Sequence, residues 1–294
     1  MSGSTAGRAV ITLAAFALAA CGGSEHEHPA GETADTAVPA AAAPAAATAN
    51  VVTITARDFA FDAPDSIPAG LTTVRFVNHG TQLHHATFVK LGDGHTMRDL
   101  MAAMQKPGPL PSWAEMAGGP NAAVPGDSSN ITQVLDPGSY VVLCLIPGPD
   151  GVPHMAKGME RAFTVVPSAA AAAPEPTADV TVTLADYMFT LSTPLTAGHH
   201  VVRVDNSGPQ PHELVLARLA PGKTALDLAN WAEKQQGPPP GMPFAGLSPM
   251  HVGGHAYFTV DLTPGTYALI CFLPDAKDGK PHFQHGMVKQ FTIS

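Results

Sequence analysis

Apolar and polar residues alternate with period two over Val51-Val52-Thr53-Ile54-Thr55 and again over Val180-Thr181-Val182-Thr183-Leu184. A Gly-containing turn and a second alternating run follow in each case, Thr73-Val74-Arg75-Phe76-Val77 and Val201-Val202-Arg203-Val204. That period puts successive side chains on opposite faces of a strand, with one face turned to a core. The same reading predicts strands at 86–91, 131–135, 139–144 and 161–166, with counterparts at 214–219, 256–262, 266–271 and 288–293. Two stretches switch to helical spacing, Thr96 to Gln105 and Thr224 to Gln235, each opened by a Thr suited to cap a helix and each stopped by a Pro-rich segment. Met97, Met101 and Met104 lie on one stripe of the first helix and are read as core packing.

The pattern is duplicated. Asn78-His79-Gly80-Thr81-Gln82-Leu83-His84 matches Asn206-Ser207-Gly208-Pro209-Gln210-Pro211-His212 at an offset of 128. Pro137-Gly138-Ser139-Tyr140-Val141-Val142-Leu143-Cys144 matches Pro264-Gly265-Thr266-Tyr267-Ala268-Leu269-Ile270-Cys271 at 127, and His154 and Met159 match His282 and Met287 at 128. Offsets this constant mean one structural unit copied once. Two regions lack large apolar residues and cannot offset their ordering entropy: residues 21–49, a tether, and 167–178, an Ala/Pro linker. The expected organisation is a leader at 1–20, the tether, a first domain at 50–166, the linker and a second domain at 179–294. Each domain is expected to be a β-sandwich with one short inserted helix.

Composition narrows the partners. The chain of 294 residues has 28 Gly and 29 Pro, is only 13% charged and carries a net charge of −9, which speaks against nucleic acid. At the N-terminus Arg8 precedes an apolar run, Ala9 to Ala20, too short to span a bilayer, which reads as an export signal. Leu18-Ala19-Ala20-Cys21 resembles the lipobox of bacterial lipoproteins. That resemblance implies a lipidated Cys21 anchoring an exported chain to a membrane, facing the periplasm or the cell exterior. Cys144 and Cys271 then occupy an oxidising compartment.

The repeated Cys, His and Met residues resemble those of the cupredoxins. In that family a Pro-Gly-(Ser/Thr)-Tyr turn leads into a strand ending in a thiolate ligand, the next loop supplies His and then Met, and an earlier strand after an Asn-containing loop supplies another His. The resemblance implies an all-β chain of two tandem cupredoxin-like Greek-key sandwiches, each with one type 1-like copper site. The ligands would be His84, Cys144, His154 and Met159 in the first, and His212, Cys271, His282 and Met287 in the second. Two imidazoles and a thiolate in a plane with a weak thioether suit both oxidation states of copper. The implied role is electron transfer with a redox partner protein; a cupredoxin-fold binding module or copper carrier is the alternative. Multicopper oxidase or nitrite reductase chemistry is disfavoured. The Cys-His dipeptide of those enzymes is missing, and the only His-x-His, His26-Glu27-His28, lies in the tether.

One departure concerns the ligand loop. Nine residues separate Cys144 from His154 and ten separate Cys271 from His282, against two to about four in familiar cupredoxins, so the loops must bulge outward to return His to the metal. Each Cys could instead be a packed apolar residue, and a Cys144–Cys271 disulfide is a further alternative. Repeat register selects His84 over His85 as ligand, because Glu213 stands opposite His85. His95, His199, His200, His251 and His255 have no partner in the other half and are read as surface residues, and His285 as exposed near the second site. Trp113 and Trp231 carry no assignment.

Overall fold

The computed structural model describes residues 47–294 apart from Pro107, Gln235 and Gln236. The leader, Cys21, His26 and His28 lie outside the described residues. The first half contains β1 (Asn50–Arg57), β2 (Ala60–Asp62), β3 (Ser66–Pro68), β4 (Gly70–Asn78), β5 (Thr87–Leu91), α1 (Met97–Met104), β6 (Ala114–Met116), β7 (Ser128–Leu135), β8 (Gly138–Leu143) and β9 (Glu160–Val166). The second contains β10 (Val180–Ala185), β11 (Met188–Leu191), β12 (Gly198–Asn206), β13 (His212–Leu219), α2 (Ala225–Lys234), β14 (Gly241–Met250), β15 (His255–Leu262), β16 (Gly265–Ile270) and β17 (Val288–Ile293).

In each half two sheets face one another across a core. In the first, β2-β1-β4-β7 covers β3-β9-β8-β5-β6; in the second, β11-β10-β12-β15 covers β14-β13-β16-β17. With β1 parallel to β4 and β10 parallel to β12, both halves are cupredoxin-like Greek-key sandwiches. The alternation builds the core as the sequence requires: Val52, Ile54 and Ala56 of β1 point inward with Val74 and Phe76 of β4 and Ile131 of β7. Met97, Met101 and Met104 pack, partly buried, on the small cluster around Leu100, Val89 and Val141. Thr96 caps α1 by accepting from Asp99 N–H, and the Asp99 side chain accepts in return from Thr96 N–H.

β6 and β14 follow the helices where the sequence reading had only Pro-rich stops. β14 tolerates Pro243 and Pro249 because it ends its own four-stranded sheet, and Pro249 contributes only its carbonyl, which accepts from Gly118 N–H at 2.8 Å.

That bond belongs to a join between the halves. Ser248 N–H donates to Gly119 O (2.9 Å), His251 N–H to Met116 O (2.9 Å) and Asn121 N–H to Gly246 O (3.2 Å). Gly119 sits at φ +104°, and a Cβ there would lie 2.1 Å from Ala86 O, so only glycine lets the segment approach this closely. In the opposite layer β7 and β15 meet at Thr132 and Tyr257. There the Asn130 side chain replaces a backbone partner, donating to Thr259 O (3.0 Å) and accepting from Thr259 N–H (2.9 Å). The result is one eight-stranded sheet ordered β11-β10-β12-β15-β7-β4-β1-β2, in which equivalent strands of the two copies follow one another outward from the join.

Residues 167–178 form no regular element, yet Glu175 is held against the second half. It accepts from Tyr257 Oη–H (2.7 Å) and meets His255 Nε2 at 2.8 Å. His200 departs from its expected surface position: it is only 8% exposed, with Nδ1 against Asp179 Oδ2 (2.8 Å) and Nε2 against Thr196 O (3.0 Å). A buried imidazole with acceptors on both sides is tolerated because both nitrogens are occupied.

Two halves sharing a sheet should melt as one unit. Calorimetry on the protein is expected to give a single cooperative transition. Asn121→Ala, which leaves the buried Leu247 carbonyl without its 3.0 Å donor, should lower stability by about 1–3 kcal/mol while keeping one transition. Two separate melts in the parent protein would contradict the join.

Candidate metal centres

Each centre is assembled by a loop that brings a histidine in from one strand and a cysteine from another. Asn78, fully buried at the end of β4, donates through Nδ2 to Gln82 O (2.7 Å) and Ala123 O (2.8 Å), and its Oδ1 accepts from Gly80 N–H (2.8 Å). Asn206 repeats this with Gln210 O (3.0 Å), Met250 O (2.9 Å) and Gly208 N–H (3.1 Å). The folded loop lays its glycine against the histidine: a Cβ on Gly80 would fall 2.7 Å from His84 Nε2, and one on Gly208 2.5 Å from His212 Nε2. The repeated Asn-x-Gly is therefore the mould for the histidine.

The cysteines come from the Pro-Gly-(Ser/Thr)-Tyr turns. Tyr140 Oη–H donates to Asp136 O (3.0 Å) and Tyr267 Oη–H to Thr263 O (2.8 Å), fixing the start of β8 and β16. At the far ends Cys144 and Cys271 are fully buried and free, with no disulfide between them. The residues after His84 and His212 tie the two strands: Leu145 N–H donates to His85 Nε2 (2.7 Å) and Phe272 N–H to Glu213 Oε1 (2.9 Å). Burial holds the His85 imidazole well down, at about 3, and pushes the Glu213 carboxyl up to about 7. His85 thus points away from the centre, as repeat register requires.

The long loops close on themselves. Pro147 and Pro153 form a bridge, Gly148 N–H donates to Val152 O (2.9 Å), and His154 N–H donates to Ile146 O (3.0 Å). The extra residues are a side excursion, and the histidine re-enters opposite the second residue after Cys144. Pro274 and Pro281 repeat the bridge, and His282 N–H donates to Leu273 O (2.8 Å). A short helical turn follows, ended by Gly158 and Gly286 in the left-handed region. Cys144 N–H then donates to Met159 O and Cys271 N–H to Met287 O, both at 3.2 Å. Met159 and Met287 are fully buried in the core that contains the cysteines.

The donor atoms converge. His84 Nδ1 and His154 Nδ1 are 3.0 Å apart, and Cys144 Sγ lies 3.5 Å from the second and 3.9 Å from the first. In the other half His212 Nδ1 and His282 Nδ1 are 3.1 Å apart, with Cys271 Sγ 3.3 Å from His282 Nδ1. Donors about 2 Å from a shared ion sit about 3.5 Å from one another, so both sets fit a metal. Tautomers strengthen the case: His84 Nε2–H donates to Asp58 Oδ1 (2.7 Å) and His154 Nε2–H to Gln82 Oε1 (3.2 Å). Both Nδ1 lone pairs are thereby aimed at one point, an arrangement that calls for a cation. Burial, more than any neighbour, pushes the Cys144 thiol up to about 12 and Cys271 higher still, so a metal must displace the thiol proton.

The second centre differs in its surround. His212 Nε2 lies 2.9 Å from Asp186 Oδ1 without the hydrogen-bond geometry that joins His84 to Asp58. Gln210 turns instead to Asp186 Oδ1 (3.0 Å) and Asp275 Oδ2 (2.9 Å), leaving the buried His282 Nε2 unpartnered. His285 stacks on Tyr187, whose ring also flanks His282. Asp275, Asp278 and His285 form a third close-set group, but Asp275 is committed to Tyr187, Gln210 and the backbone of its own loop. The sequence reading missed Asp58 and Asp186, whose signal was their own spacing of 128.

No family model and no curated protein matches the chain. Among solved structures it is similar to the auracyanin of Roseiflexus castenholzii, at 29% identity over 41% of this chain and 99% of that one, with a TM-score of 0.27. It is similar also to auracyanin A of Chloroflexus aurantiacus, described as a blue copper protein, at 22% identity over 41% and 100%, TM-score 0.29. The blue copper oxidase of Nitrosomonas europaea aligns at 16% identity over 84% of this chain and 86% of that one, TM-score 0.24. At these TM-scores the fold rests on the strand order described above.

Removing the carboxylate behind a ligand tests the centres one at a time. Asp58→Ala should weaken metal binding at the first centre about 10–100-fold and leave the second unchanged; Asp186→Ala should do the reverse. Competition against a chelator, with far-UV circular dichroism to verify folding, measures both.

Proposed function

We propose that this chain is an exported copper protein with two mononuclear type 1-like centres that accepts and donates single electrons. The observation that carries the reading is the meeting of two imidazole Nδ1 atoms and one cysteine sulfur at a buried point, built twice from the same local parts. One soft sulfur and two imidazoles in an approximate plane, with a buried thioether nearby, select copper over harder cations and accommodate both of its oxidation states. Met159 and Met287, buried in the same core as the cysteines, would supply a thioether to each centre.

When bound, copper supplies a one-electron couple. The protein's residues hold the donors still. Asp58 and Gln82 fix the ring orientations in the first centre, Asp186 faces His212 in the second, and the Cys and Met backbones are bonded to each other in both. Ligands that cannot move keep the rearrangement between oxidation states small, which speeds electron exchange. Burial of His84 and His154, at 0% and 1% exposed, excludes water from the metal. A carrier is favoured over an oxidase because neither Cys144 nor Cys271 is followed by His and no His-x-His occurs outside the tether. The Leu-Ala-Ala-Cys21 sequence supports lipid anchoring at an extracytoplasmic membrane surface, where a redox partner protein would meet the two sandwiches. Domain limits at 50–166 and 179–294 follow from the sequence repeat.

Addition of Cu(II) to the protein lacking its leader and Cys21 should give an intense blue charge-transfer absorption and two ions bound per chain. Cys144→Ser and Cys271→Ser should each retain one ion and about half the absorption. A protein that keeps both thiols reduced yet develops no colour would be a cupredoxin-fold binding module.

A further inference from the structure

The two centres share ligands but not the charge beside them. The bridges Pro147–Pro153 and Pro274–Pro281 align the two side excursions, so that Gly148 stands where Asp275 stands, and Lys157 matches His285 at the repeat offset of 128. In the first half the Lys157 ammonium bonds Asp150 Oδ1 (2.8 Å) and lies 4.9 Å from the Phe59 ring centroid, and that ring lies 5.2 Å from the His154 ring. A Cβ on Gly148 would fall 2.7 Å from Lys157 Nζ. The place taken by the Asp275 side chain in the second half is therefore taken in the first by the Lys157 ammonium with its Asp150 partner, 3.0 Å from the same Cβ.

In the second half Asp275 is 4% exposed and accepts from Tyr187 Oη–H and Gln210 Nε2–H. The Tyr187 ring lies 5.3 Å from the His282 ring, as Phe59 lies from His154. Asp150 has its counterpart in Asp278, which meets His285 Nε2 at 3.1 Å and the Lys280 ammonium at 3.6 Å. Lys277 and Lys280 of the second excursion have no cationic counterpart in the first and run the other way, but both are exposed, whereas Asp275 is buried.

We propose that the replacement of Lys157 and Gly148 by His285 and Asp275 sets the two centres at different reduction potentials, the first higher, so that a single electron entering the chain settles at the first centre. Reduction lowers the charge of the ion by one, so a nearby ammonium favours the reduced form and a nearby buried carboxylate the oxidised form. In a chain holding one electron, the second centre gives it up and is oxidised while the first is reduced, with no other reactant. The proposal rests on the copper reading above.

Spectroelectrochemical titration of copper-loaded Cys271→Ser, which keeps the first centre, and Cys144→Ser, which keeps the second, measures each alone. At one solution potential the reduced-to-oxidised ratio is expected to be at least tenfold larger for the first centre, equivalent to about 59 mV for a one-electron couple. Lys157→Gln in the first background should lower that ratio, and Asp275→Asn in the second should raise it. Lys157→Gln alters a partly exposed side chain and so tests the idea even if the Asp275 variant folds poorly. Coloured centres with equal ratios, or with the order reversed, overturn the proposal and leave the copper reading intact. Absence of the charge-transfer colour from both single-site proteins overturns the copper reading and this proposal together.

Discussion

Two buried imidazole Nδ1 atoms with their lone pairs facing one another repel unless something positive lies between them, and the fold holds such a pair 3.0 Å apart in the first half and 3.1 Å apart in the second. Asp58 and Gln82 take the outer N–H groups of His84 and His154, which leaves both Nδ1 atoms bare. The thiol of Cys144 closes the third side. Buried polar groups are costly unless partnered, and a soft cation held by all three donors would partner them together. The Asn-x-Gly mould, the Tyr turns, the Cys–Met backbone bond and the closed side excursions all position these few atoms.

The second constraint is the join between the copies. A sandwich with an open edge strand presents unpaired backbone groups to any other strand. Here the two copies cover one another's edges, through the Asn130 amide in one layer and the 116–121 segment against β14 in the other. With Glu175 held by Tyr257 and His255, the connecting segment is also fastened down. The two centres therefore belong to one body, and differences in their surroundings can act as differences within a single molecule.

Much of this was legible in the sequence. The strands followed from period-two alternation because each sheet has one buried face; the residues that meet at each centre followed from the resemblance, and the register of the duplication separated His84 from His85. The elements it missed are those whose stabilising partners are remote. β14 carries prolines that read as breakers and is a strand only because β13 and the first half supply its neighbours. His200 lacked a counterpart and looked exposed, yet Asp179 and Thr196 enclose it. The long Cys–His loops were read only as bulging outward, because the backbone bonds that close them, His154 to Ile146 and His282 to Leu273, leave no trace in composition. Asp58 and Asp186 were hidden for a simpler reason: carboxylates near turns are common, and only the third dimension shows which one faces a ligand.

The claim on which everything else depends is that the sulfur and the two imidazoles of each half bind one ion together. X-ray absorption at the copper edge of the loaded protein measures this directly. The account predicts an average coordination shell of two imidazole nitrogens and one short thiolate sulfur per copper. A shell of nitrogen and oxygen alone, with no sulfur, would contradict it.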